Sequence, residues 1–98
     1  MSRFVRQIEI RVNGSLKSGE IGMSSPREGT NGRWTCMCSI SFLLDEPMGI
    51  HGEDAFEALS HGLLFLGGLI RGSENDGWVL WWQQENDHCG FGGESEQA

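Results

Sequence analysis

The apolar positions of this chain change period along its length, and each change marks an element. Phe4, Ile8, Ile10 and Val12 alternate with Val5, Gln7, Glu9 and Arg11, with Arg6 as the one interruption near the start. That period of two predicts a strand with one apolar face. Asn13-Gly14 follows, the pair that best satisfies a two-residue hairpin turn. A second, more dilute strand is expected from about Leu16 to Met23, where only Leu16, Ile21 and Met23 are apolar. Leu16 and Ile21 differ in parity, as a bulge or a longer turn between them would produce. Residues 24–32 (SSPREGTNG) are turn-forming types almost throughout, hence a polar loop.

The next stretch organises the rest. Trp34, Cys36, Cys38, Ile40 and Phe42 fall on one face of an extended chain, and Thr35, Met37, Ser39 and Ser41 on the other. Leu43-Leu44 then run into Asp45-Glu46-Pro47, a stop signal. Beyond it the period becomes helical. Phe56, Leu59, Leu63, Leu66 and Ile70 form one row, and Ala55, Ala58, Gly62, Phe65 and Leu69 a second beside it. Together they predict one long helix with a wide apolar face lying on a sheet. Asp54 and Glu57 have the spacing of a capping box, and Glu53 adds negative charge at the positive end of the dipole. Arg71 and Gly72 read as its last turn and C′ residue. Gly62, on the apolar side, suits close approach to a strand, and Gly67-Gly68 mark a place to fray or bend. After the turn at 72–77, Trp78-Val79-Leu80-Trp81-Trp82 reads as a short fourth strand.

The expected architecture is therefore α+β: an antiparallel sheet, made of a β-hairpin plus a third strand, covered by one long helix, with a short Trp-rich C-terminal strand. The expected core is Ile8, Ile10, Val12, Ile21, Trp34, Cys36, Cys38, Ile40, Phe56, Leu59, Leu63, Leu66 and Ile70. At 98 residues the chain reads as one domain over 1–91 with a flexible tail over 92–98, large enough to bury a core without metal or disulfides.

Charge then narrows the function. Fourteen acidic against seven basic residues leave a net charge of −7. Phosphate binding needs a basic surface, so nucleic acid is not expected as a direct ligand. An acidic surface suits a basic protein partner. No apolar run is long enough to span a bilayer, and the first ten residues lack the apolar core of a secretory signal. Three Cys, an odd count, point to a reduced, cytoplasmic setting.

Few side chains suggest chemistry. Cys36, Cys38 and Cys89 with His51, His61 and His88 have the wrong spacing for the common zinc knuckles. The two strand thiols are expected in the core, where free Cys behaves as a small hydrophobe. Asp87-His88-Cys89 supplies a base and a nucleophile but no oxyanion-hole context. Residues 90–93 (GFGG) follow no clear strand and open no helix, so they are not a phosphate loop. His61 reads as a solvated helix residue and His51 as part of a connection. The aromatic cluster is different. Trp78, Trp81 and Trp82 lie among Glu74, Asp76, Glu85 and Asp87, with no Lys or Arg between Glu74 and Asp87. Either helix and tail cover both faces of this segment, or one face is a partner surface of aromatic anchors ringed by carboxylates.

Trp34-x-Cys36 followed by Gly52-x-Asp54-x3-Ala58-Leu59-x3-Leu63 resembles a family of uncharacterised small bacterial domains. In that family a Trp-x-Cys strand follows an N-terminal hairpin, and a Gly-x-Asp…Ala-Leu helix follows the strand. The likeness runs from about Phe4 to Ile70 and implies the α+β fold and a bacterial origin. By analogy, small acidic bacterial proteins of this kind are often immunity proteins encoded beside a secreted toxin. The expectation is thus a non-enzymatic, cytoplasmic protein-binding module. It would neutralise a basic toxin domain through Glu74, Asp76, Trp78, Trp81, Trp82, Glu85 and Asp87, with no cofactor, metal, nucleic acid or membrane involved. The competing expectation is a small enzyme or metal-dependent module using Cys89, His88 and His51.

Overall fold

The computed structural model describes residues 3–82. The expected C-terminal tail at 92–98 lies outside them. Strand β1 (Arg3–Val12) turns at Asn13-Gly14 into β2 (Ser15–Ser24). Both turn residues have positive φ, 51° and 82°, the combination a type I′ turn requires and an Asn-Gly pair tolerates. The two strands then pair without interruption from Val12↔Ser15 to Arg3↔Ser24. The change of parity between Leu16 and Ile21 is therefore no bulge. Leu16 lies on the opposite sheet face from Ile21, exposed, while Ile21 is buried.

The bulge comes later. Strand β4 (Trp34–Ile40) pairs with β2 through Met23↔Cys38, and with the two-residue β3 (Arg27–Glu28) through Arg27↔Thr35. Between those pairs, Ser24, Ser25 and Pro26 face only Cys36 and Met37, so one residue is extra. Pro26 has no N–H to give the ladder. Ser24 Oγ accepts from the Met37 N–H at 2.9 Å and closes the gap.

Strand β5 (Met48–Gly52) pairs with the other edge of β4. MGIHG carries two glycines and no clear alternation, so by sequence alone it reads as a connection, and the pairing with β4 makes it a strand. His51 thus belongs to a strand. Helix α1 (Ala55–Asn75) follows, and β6 (Val79–Trp82) pairs antiparallel with β1 at the opposite edge of the sheet. All pairings among the described residues are antiparallel, and the fold is α+β: six strands against one helix. Because β5 and β6 are the two edges, α1 has to cross the sheet. It rests mainly on β4 and β5 and reaches β6 near its end.

The crossing decides which helix face is buried. The residues against the sheet are Ala58, Gly62, Leu66, Gly67, Ile70 and Ser73. They close over Ile8, Ile10, Ile21, Met23, Cys36, Cys38, Ile40 and Leu80. The expected core holds in its strands, with Val12, Trp34 and Leu59 half-buried at its margin. It fails at Phe56 and Leu63, which are 81% and 39% exposed. Close packing puts Ala58 and Gly62 against the sheet in the first half of the helix and turns Phe56 and Leu63 to the flank, whereas Leu66 and Ile70 are buried further along. A Cβ on Gly62 would stand 2.8 Å from Met23 Cε and 3.0 Å from Cys38 Sγ.

The helix start follows the capping pattern. The Glu57 N–H donates to Asp54 Oδ1 at 2.7 Å, and Glu57 Oε1 accepts from the Glu53 N–H at 2.7 Å, one residue beyond the usual capping-box partner. The end is later than expected. The helix continues through Gly72 to Asn75, and the residue with positive φ is Gly77 at 94°. Buried Ser73 donates to the Ile70 carbonyl at 2.8 Å, and the Trp78 N–H reaches the Ser73 carbonyl at 3.1 Å.

Candidate partner-binding surface

The residues expected to form an acidic and aromatic surface divide unevenly. Glu74 is half-buried and Asp76 exposed at the C-cap of α1. Trp78 is half-buried and packs against the core. Val79 is exposed and the next residue, Leu80, fully buried, so this segment is an edge strand with one side built into the domain. The backbones of Trp81 and Trp82 pair with Glu9 and Ile8. Glu85 and Asp87 lie outside the described residues, as do His88 and Cys89. The structure therefore brings Glu74, Asp76 and Trp78 together around the end of α1. It also sets the cationic Arg11 opposite Val79, beside the surface expected to be acidic.

The thiols lie in the core. Cys36 and Cys38 are both fully buried beneath Gly62. Cys36 donates to the Ser24 carbonyl at 3.2 Å. Burial raises the Cys36 thiol above its ordinary range. Burial first, then the negative charge of a neighbouring Cys36 thiolate, pushes the Cys38 thiol up to about 12. A nucleophilic or metal-binding Cys needs its thiolate, which this environment disfavours. Among the described residues no group of three or more His, Cys, Asp or Glu is arranged to hold a metal ion. His51 Nδ1 shares a hydrogen bond with Thr35 Oγ1 across β4 and β5 at 2.9 Å. His61 meets the His51 carbonyl at 2.9 Å through Nδ1. A carbonyl only accepts, so that nitrogen carries the proton. The bond fastens α1 to β5, which gives exposed His61 a partner beyond solvent.

The surface that sequence reasoning missed is the flank of α1. Because Ala58 and Gly62 face the sheet in this part of the helix, Phe56, Leu63 and Leu64 remain 81%, 39% and 69% exposed, and Phe4 on β1 is 59% exposed. Leu63 and Leu66 form one wall of an apolar groove of about 210 Å³; Phe4, Arg6, Ile21 and Met23 form the floor and opposite wall. Phe56 stands two turns before Leu63 on the same side of the helix. Isolated exposed apolar side chains are ordinary, but a row of large ones bordering a groove makes this flank a candidate interaction surface. The signal lay in the second helical row: Ala58 and Gly62 are residues that can approach a sheet closely, so Phe56 and Leu63 lie beside the contact there, while Leu66 and Ile70 of the larger row enter the core further along.

The charge around this flank is mostly negative, with Arg33 sharing a pocket with Glu53 and Arg6 lining the groove. From Trp34 to Ile70 the chain has five carboxylates and no Lys or Arg. Three of them, Glu53, Asp54 and Glu57, sit around Phe56 at the helix start. Among the described residues no helix is long and apolar enough to cross a membrane. No protein-family model, curated protein or solved structure matches the chain.

Proposed function

We propose that this chain is a non-enzymatic protein-binding module of the immunity type. It works in the cytoplasm of a bacterium, where it neutralises a toxin domain by occupying it directly. The observation that supports this most is the exposed apolar flank of α1 with its groove, since large side chains left in solvent by a well-packed core need a partner to bury them. The burial of both strand thiols agrees with a binding role, because it withdraws them from chemistry. The net charge of −7 favours a basic partner and fast encounter with it.

The test is co-expression with the product of the adjacent reading frame. The expected result is protection of the host from that product and a stoichiometric complex on gel filtration. If the neighbour is toxic, and the chain at matched expression neither protects nor associates, the reading is overturned.

A further inference from the structure

We propose that the flank of α1 marked by Phe56, Leu63 and Leu64, with the groove beside it, docks a basic protein element carrying large apolar side chains. This rests on the protein-binding reading above and gives that partner a surface and a chemistry. It also places the interface away from the Trp78–Trp82 segment, whose Trp78 and Leu80 are tied into the core.

The groove determines the apolar half of the recognition. Phe4, Met23, Leu63 and Leu66 are among its lining residues, and its volume is about 210 Å³. Phe56 projects almost wholly into solvent in line with Leu63. Aromatic anchors that enter a partner are the residues that carry binding energy, and a groove accepts the reciprocal anchor.

Charge determines the other half and selects among occupants. Glu53, Asp54 and Glu57 place three negative charges at the helix start beside Phe56, against the single cation Arg33 that lines a pocket with Glu53. Asp54 and Glu57 also cap the helix, but capping leaves their charge in place. Arg6, in the groove, is the one cation at this surface among the groove-lining residues. A partner's basic end would therefore lie at the helix start and its neutral, apolar part at Arg6. A second copy would bring another acidic chain of net charge −7 against these carboxylates. The chain's own sequence after Arg71 has six carboxylates and no Lys or Arg, so it too is repelled. A foreign, basic occupant is the one that charge favours.

The test uses the isotope-labelled full chain and two synthetic amphipathic helical peptides as probes, one of leucine and lysine, the other of leucine and glutamate. The leucine–lysine peptide is expected to shift the amides of Phe56, Ser60, Leu63 and Leu64, and the leucine–glutamate peptide to leave them unmoved. Phe56→Ser should weaken binding about thirtyfold, the loss of a hot-spot side chain, and Glu53→Lys should flatten the salt dependence. Phe56 is mostly exposed, so Phe56→Ser should melt like the wild type, while Glu53→Lys reverses a charge at the positive end of the helix dipole and should melt slightly earlier but stay folded. Failure of the leucine–lysine peptide to bind, equal binding of both peptides, or shifts confined to other surfaces overturns the proposal. A toxin complex indifferent to Phe56→Ser would overturn this surface and leave the immunity reading standing. Binding at this flank without any toxin complex would do the reverse.

Discussion

Gly52 lies so close beneath α1 that a Cβ on it would stand 2.8 Å from the carbonyl carbon of Glu57 and 2.9 Å from the Cα of Ala58. Both are backbone atoms of a capped helix, so neither can give way. Gly52→Ala should therefore lift the start of α1 from β5, at a cost of about 3 kcal/mol, the upper end for an overpacked core. Gly62→Ala is the informative contrast. Its nearest obstacle is Met23 Cε at 2.8 Å, the end of a flexible side chain, and Ala recovers about 1 kcal/mol of helix propensity. The two effects should nearly cancel. Urea melts of both variants check the pair, and equal destabilisation would contradict this packing.

The rotation of α1 about its axis can be tested without a partner. Phe56→Ser should change stability by less than about 0.5 kcal/mol, as for an exposed position. Leu66→Ala, at a fully buried position on the same helix, should cost about 2–5 kcal/mol. Comparable losses at both positions would mean that Phe56 lies in the core.

Asp54→Ala removes the acceptor of the Glu57 N–H and should cost about 1 kcal/mol. Glu57→Ala removes the acceptor of the Glu53 N–H. The two carboxylates fasten the same helix start, Asp54 through the Glu57 N–H and Glu57 through the Glu53 N–H, so their effects should couple in a double-mutant cycle. Strict additivity in denaturant melts would show that the cap contributes nothing as a unit.

The buried thiols make stability fall at alkaline pH. The folded state keeps Cys36 and Cys38 protonated above the pKa of an unfolded thiol, about 8.5, and holds Cys38 up to about 12. Between those values the unfolded chain binds fewer protons than the folded one. Stability is thus fully present below about pH 8.5 and is lost as pH rises towards 12. The chain has no Tyr and only one Lys, so few other side chains titrate in that window. Melting temperatures measured from pH 8 to 11 should decline, and a Cys36→Ala, Cys38→Ala variant should decline less steeply. Parallel slopes would remove the thiols as the cause.

Trp78 separates the two readings of the aromatic segment. It packs half-buried against the core, so Trp78→Ala should cost about 2 kcal/mol, below the roughly 3–5 kcal/mol of a fully buried aromatic. A melt unchanged by this substitution would return Trp78 to the surface.

Local signals settled those parts of the fold that local physics decides. Asn13-Gly14 specifies its turn because few residues accept positive φ twice in succession. The alternation from Trp34 to Ile40 placed both thiols in the core because a strand sends successive side chains to opposite faces. Asp54 and Glu57 mark the helix start because orphan amides there need acceptors. What the chain could not declare by itself depends on elements far apart in sequence. Strand β5 is a strand because β4 offers an unpaired edge, and its own five residues carry little pattern. The helix passes Gly72 because Ser73 has a buried site near β6, and burial outweighs a glycine's weak preference. The side of α1 that faces the sheet follows from how closely β4 and β5 approach it. Periodicity reports that a helix has an apolar stripe, but only the opposing surface decides that Ala58, Gly62, Leu66 and Ile70 go inside and that Phe56 and Leu63 stay outside, where the candidate interface lies.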